Sequence, residues 1–177
     1  MNLYSIALFL HVVGALLLFV TLTVEGVALG QLSRAATTDS AGRAAGMLRL
    51  NRIVGPLSAL GVLVPGLYMT VTTWGWVAWI VVALVSWVVI AVLGTVNGIR
   101  ILALERSGGL LGGIQNPVFQ ISWLTRVGIA LGVIFLMTVK PGAALAVVAI
   151  LVAAAVGAGL GIVLSRTRRR AREGQAA

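Results

Sequence analysis

The sequence feature that most constrains the fold is a long uncharged stretch, residues 53–99. About 20 apolar residues cross the hydrocarbon core of a bilayer as a helix, so this stretch is too long for one crossing and long enough for two. The break between them is predicted at 72–76, because Gly75 favours a turn and Trp74 and Trp76 suit the membrane interface. The stretch therefore predicts a hairpin of two membrane-spanning helices.

The composition extends this prediction to the rest of the chain. Of its 177 residues, 60% are hydrophobic and 10% are charged, whereas about 25% charged residues is typical of soluble domains. We predict an all-α fold, a polytopic transmembrane bundle of five helices in one domain over residues 1–164, with a basic, solvated tail over residues 165–177. The predicted helices are 3–29, 53–73, 76–104, 121–140 and 143–164, and Asn116-Pro117 is interpreted as a stop signal in the glycine-rich loop before the fourth.

The distribution of positive charge predicts the orientation. An odd number of helices places the two termini on opposite sides of the membrane. Of the 13 Lys and Arg residues, all but Lys140 fall on the side of the first loop, the third loop and the tail, or at the helix ends there. Positive residues mark the cytoplasmic side, so we expect a multi-pass protein of the plasma (inner) membrane with its N-terminus outside and its C-terminus in the cytoplasm.

The expected partners follow from the same pattern. The net charge of +9 comes mainly from arginines that flank apolar runs or fill the tail, which indicates contact with the lipid bilayer and not with nucleic acid. Glycine pairs four residues apart let helices approach closely in lipid, and they predict packing within the chain, a homo-oligomer or a larger membrane complex. These pairs are Gly26/Gly30, Gly94/Gly98, Gly128/Gly132 and Gly157/Gly161.

The first predicted helix carries two ionisable residues, His11 and Glu25. They lie about 40° apart around a helix and about 21 Å apart along it, so they share one stripe that should face the bundle. Arg126, at a similar predicted depth in the fourth helix, is the expected partner of Glu25, with Asn97 and Arg100 at the same level. This buried polar network either fixes the helix register or forms a proton relay or anion site, and both interpretations remain open.

His11 is also the candidate ligand for a cofactor. Met69 and Met137 fall near the same predicted end of the bundle as His11. Histidine with methionine suits haem iron or copper(I), and the metal is not fixed by the residues. The alternatives are a hydrogen-bonded core histidine and methionines that fill gaps.

Three segments carry a resemblance to a known family. The first is Leu3-Tyr4 followed by Phe9-Leu10-His11-Val12-Val13-Gly14-Ala15, and the others are Leu124-Thr125-Arg126-Val127 and Phe135-Leu136-Met137-Thr138-Val139-Lys140-Pro141. Over about residues 3–141 the chain resembles a family of small bacterial predicted integral membrane proteins of unknown function.

A more distant similarity is to copper-resistance protein D and to the haem-binding membrane protoporphyrinogen oxidase. That similarity implies that His11 is a ligand. Of the residues in those families, only this histidine and the small residue Gly14 that follows it have counterparts in this chain.

Three functional hypotheses follow. The first is a non-enzymatic membrane scaffold or accessory subunit, because the sequence contains none of the HExxH, P-loop or GxSxG motifs of common enzymes. The second is a haem- or copper-binding membrane protein that uses His11. The third is a small proton-coupled transporter that uses Glu25 and Arg126.

Overall fold

The computed structural model describes residues 2–35, 38–109, 113–114 and 116–176. These residues form five long α-helices and no β-strand, which confirms the predicted all-α fold. Each helix is long and apolar enough to cross a membrane, as expected of a multi-pass membrane protein. The helices are α1 (Leu3–Leu32), α2 (Thr38–Met69), α3 (Ala78–Arg106), α4 (Pro117–Val139) and α5 (Ala143–Ala176).

Helix α2 begins at Thr38, well before the predicted start at residue 53. Its first turns are polar on the outside but bury a stripe against the rest of the protein, with Ala41, Ala44, Ala45 and Leu48 all buried. These positions have the spacing of one helix face. The predicted start was wrong because hydropathy identifies only the part of a helix that crosses the membrane. This helix extends beyond that part, for as long as its apolar stripe continues.

Helix α4 begins at Pro117 instead of the predicted residue 121. The side chain of Asn116 accepts a hydrogen bond of 3.0 Å from the backbone N–H of Val118, which makes Asn116 the N-cap. Proline is favoured at the first helical position because its missing N–H would have no partner there. Asn116-Pro117 is therefore a helix start, and its interpretation as a stop signal was wrong.

Helix α5 continues to Ala176, beyond the predicted end at residue 164. The first part of the predicted tail is thus helical and packs on α4. The guanidinium Nη1 of Arg168 donates a hydrogen bond of 3.1 Å to Oε1 of Gln120, at the start of α4. Arginine has a high helix propensity, so the change from apolar to basic residues does not end the helix.

The predicted break between α2 and α3 is present. Residues Thr70–Trp74 form a π-helical turn, and Gly75 follows with φ +68°, a conformation that favours glycine. The indole of Trp74 donates to the hydroxyl of Tyr4 at 3.3 Å and packs edge-to-face on Trp79, with ring centroids 5.9 Å apart. The first contact connects the start of α1 to the turn that follows α2, and the second connects this turn to the start of α3.

The chain divides into two compact units, one up to Val81 and one from Val82 onward. In the first unit α1 packs against α2. Gly14 contacts Gly61, whereas Tyr4 contacts Trp74, so the helices are antiparallel. A Cβ on Gly14 would lie 2.7 Å from the carbonyl oxygen of Gly61, which shows that the two backbones are in direct contact.

In the second unit α4 packs against α5 in the same manner. A Cβ on Gly157 would lie 3.0 Å from the carbonyl carbon of Leu124, and one on Gly161 would lie 2.7 Å from Cα of Ile121. Gly128 contacts the backbone of Ala153. Small residues thus allow backbone contact, as expected for helix pairs in lipid.

Candidate functional site

His11 lies on the face of α1 that packs on α2. On α1, buried or half-buried positions recur at alternating intervals of four and three residues, the spacing of a helix–helix seam. Both ionisable residues of α1 belong to this seam. Its positions are Ala7, His11, Gly14, Leu18, Thr21, Glu25, Ala28 and Leu32.

The imidazole of His11 makes one defined hydrogen bond. Its Nδ1 lies 2.8 Å from the backbone carbonyl oxygen of Val62 on α2. A carbonyl oxygen can only accept, so Nδ1 carries the proton and donates it. In the neutral ring the lone pair is then on Nε2, the arrangement found in many metal-binding histidines.

Two features of α2 make room for this bond. Gly66 lies against the ring, and a Cβ there would be 3.0 Å from both Nδ1 and Cε1 of His11. Pro65 is buried within the helix and has no N–H, so the carbonyl of Gly61 lacks its intrahelical donor. The carbonyl of Gly61 lies against Gly14, and the carbonyl of Val62 accepts the hydrogen bond from His11.

The two predicted methionines fall in different units. Met69 is buried on α2, three residues beyond Gly66 and thus on the same face as the histidine contact. Met137 is half-buried on α4, in the second unit. Within the described residues no group of three or more His, Cys, Asp or Glu side chains could hold a metal ion.

Glu25 is buried in the first unit. Gly14 lies opposite Gly61, and an equal advance of about 16 Å along each antiparallel helix reaches Glu25 on α1 and the region of Asn51 and Arg52 on α2. Arg52 is half-buried. The first unit thus contains a cation of its own, Arg52, near the level of Glu25. The pairing of Glu25 with Arg126 stays a prediction.

The second unit contains its own group of buried polar side chains. Arg126 on α4 is 4% exposed and Asn97 on α3 is 2% exposed. The guanidinium Nη1 of Arg126 lies directly over Gly94, where a Cβ would be 3.0 Å away. Gly94 therefore provides the space that this side chain needs.

Arg100 does not belong to the buried group, because it is exposed. The buried positions on this part of α3 are Asn97 and Ile101, and Arg100 falls beside that stripe instead of on it. Its long side chain can extend to a polar region. Equal depth, on which the prediction relied, does not imply the same helix face.

Sequence reasoning did not identify Val62 or Gly66, and it named Gly94 only as part of a helix-packing pair with Gly98. Val62 acts through its backbone and the glycines through the absence of a side chain, so their roles require the helix register.

No family model, curated protein or solved structure matches this chain.

Proposed function

We propose that this chain is a non-enzymatic multi-pass protein of the plasma (inner) membrane that acts as a scaffold or accessory subunit. The observation that carries the proposal is the backbone contact within the pairs α1–α2 and α4–α5. Close packing at glycines gives each pair a defined shape. A protein of this kind presents fixed apolar surfaces to other helices within the bilayer.

Helix α5 illustrates such a surface. The side that faces α4 includes the small residues Ala146, Ala153, Gly157 and Gly161, together with Ile150, which packs on Gly132. A different side of the helix carries branched apolar residues that are exposed. These residues are Leu145, Val148, Val152, Val156, Leu160 and Val163. Both lipid chains and the apolar helices of another subunit fit this surface.

Cysteine cross-linking in native membranes tests the proposal. The chain contains no cysteine, so one introduced thiol reports one position without background. We expect Val152→Cys to cross-link to one defined protein or to a second copy of the chain. In a series of single-cysteine variants along α5, the cross-linked positions should be those of the exposed side. Ala146→Cys is the matched control, because Ala146 is fully buried within the unit. A chain that gives no cross-link along this side and is monomeric in nanodiscs would refute the proposal.

The orientation is part of the proposal. It rests on the distribution of the arginines, with the N-terminus outside and the C-terminus in the cytoplasm. Helix α5 continues to Ala176, so the basic residues that follow the membrane crossing belong to the same helix.

Ligation of haem or copper by His11 is the second candidate. The observation that favours it is the hydrogen bond from Nδ1 to Val62, which leaves Nε2 as the ring's lone-pair donor. The residues fit one histidine ligand, with Met69, three residues beyond Gly66 on the same face of α2, as the candidate thioether. When bound, haem would supply electron transfer or ligand binding, and copper would be held as cargo or as a redox centre.

An absorption spectrum and metal analysis of the purified protein, expressed with haem and copper available, test this candidate. We expect a Soret band or bound copper that His11→Ala abolishes. Gly66→Ala should weaken it, because the added methyl displaces the ring by a few tenths of an ångström. A colourless, metal-free protein would exclude the role.

A further inference from the structure

The exposed side of α2 carries one regular line of apolar residues. Leu50, Leu57, Val64 and Val71 follow one another at intervals of seven residues, and each is 62% to 67% exposed. Seven residues are close to two helical turns, so these side chains lie in one line along the helix. In a helix that crosses a membrane, an exposed apolar line faces the lipid chains.

The length of this line marks where the hydrocarbon core ends. Met47, which is 37% exposed, extends the line toward the start of α2. From Met47 to Val71 the helix rises about 36 Å. The hydrocarbon core is about 30 Å thick, and membrane helices are tilted by about 20° on average. The line therefore fills the core, and Met47 lies at its boundary.

Arg43 continues the same line beyond that boundary. It lies seven residues before Leu50 and four before Met47, and its side chain is exposed. Four residues correspond to about 6 Å along the helix, and the headgroup layer on each side of the core is about 5–8 Å deep. The guanidinium group of Arg43 is therefore at the level of the lipid headgroups.

The first turns of α2 hold Arg43 in this position. Ala41 and Ala45, each two residues from Arg43, are buried, and so is Leu48. Two residues correspond to about 200° around a helix, so the side of α2 opposite Arg43 packs on the protein, where α1 is its helical partner. Arg43 thus belongs to a supported helix and not to a loop.

The charge around Arg43 is positive. Residues 34–52 contain four arginines and one acidic residue. Arg34 is exposed in the turn that follows α1. From the contact between Gly14 and Gly61, an advance of about 30 Å along each antiparallel helix reaches this turn on α1 and the first turns of α2. A second cation therefore lies near the level of Arg43.

We propose that this end of the first unit binds the headgroups of acidic phospholipids, with Arg43 as the principal contact and Arg34 as a second cation. A guanidinium group binds a phosphate through two parallel hydrogen bonds, and the net negative charge of the lipid strengthens the attraction. The occupant is a lipid because Arg43 continues a line of side chains that faces lipid. The surface includes neither the exposed side of α5 nor His11, so it depends on neither of the functions proposed above.

A single-cysteine reporter tests the proposal. The chain contains no cysteine, and Gly46→Cys introduces one near Arg43, at an exposed position where a Cβ meets nothing within 4 Å. The full chain, with a fluorophore on this cysteine, is placed in nanodiscs of phosphatidylcholine, a lipid without net charge. Small amounts of phosphatidylglycerol or of phosphatidylcholine that carry a nitroxide quencher close to the headgroup are then added. Lipid covers both faces of a nanodisc, so the result does not depend on the orientation of the chain.

The measured quantity is the quenching by labelled phosphatidylglycerol relative to that by labelled phosphatidylcholine. We expect a preference of about fivefold for phosphatidylglycerol, the effect of one arginine near a membrane surface. Arg43→Gln should remove most of this preference, whereas Arg43→Lys, which keeps the charge, should retain it. High salt should reduce the preference, because it screens exposed charges.

Arg49→Gln is the matched control. Arg49 is also an exposed arginine of α2, but it lies six residues from Arg43, about 120° away around the helix and thus off the exposed line. The substitution removes the same charge and should leave the preference close to that of the wild type. Equal losses in Arg43→Gln and Arg49→Gln would overturn the proposal, because the preference would then follow net charge alone. Equal quenching by the two lipids in the wild type would also overturn it, and the arginines would then act only in setting the topology.

Discussion

The contact between α4 and α5 at Gly157 gives the sharpest quantitative prediction. Replacing Gly157 with alanine adds one methyl group at a point where two backbones touch. The new Cβ would lie 3.0 Å from the carbonyl carbon of Leu124 and 3.1 Å from Cα of Thr125. Backbone atoms cannot avoid it by changing rotamer, so the helices must move apart along part of the interface.

The size of the effect follows from two opposing terms. Overpacking of a close-packed site costs about 1–3 kcal/mol. Alanine is a better helix former than glycine by about 1 kcal/mol. Gly159 provides the matched control because it lies in the same helix and a Cβ there would meet nothing within 4 Å. Gly159→Ala therefore gains the helix term alone.

The difference between the two variants removes the helix propensity from the comparison. We expect Gly157→Ala to be less stable than Gly159→Ala by about 1–3 kcal/mol. The free energy of unfolding is measured by denaturant titration in mixed micelles, with tryptophan fluorescence as the signal, since α4 contains Trp123. Equal stability of the two variants would show that α4 and α5 are not in backbone contact, and the reasoning would fail.

Three further predictions concern the first helix pair, the buried charges and the topology. Gly14→Ala should be less stable than Gly30→Ala by about 1–3 kcal/mol in the same titration, because a Cβ on Gly30 meets nothing within 4 Å. A double-mutant cycle with Glu25→Gln and Arg126→Gln should give a coupling of about 0.5–3 kcal/mol if the two residues pair; purely additive losses would assign Glu25 to another partner. A reporter fused after the C-terminal residue should be active only in the cytoplasm, and activity outside the cell would contradict the proposed orientation.

Much of the fold could be predicted because bilayer thickness sets the length of apolar helices. The break at Gly75 and the ends of α3 lie within about two residues of their predicted positions, the usual scatter at helix ends. The start of α2 was not predictable in this way. Residues from Thr38 onward are helical because an apolar stripe packs on the protein, and such a stripe is recognised only when its partner helix is known.

For the candidate sites as well, the sequence identified some properties and the packing of the helices decided others. Polar residues in apolar helices, such as His11, Glu25, Asn97 and Arg126, could be identified from the sequence because their burial has a high energetic cost. Which of them share a face could not be read from depth alone, as the exposure of Arg100 shows.

The sequence by itself determined that the chain forms five apolar helices and which few residues within them are polar, because both properties depend on local composition and length. Only the tertiary structure decided that His11 donates to Val62 and that Gly66 and Gly94 make room for a ring and a guanidinium group. These contacts join residues far apart in the chain. They depend on helix register, which results from the packing of two surfaces and is not a property of either helix alone.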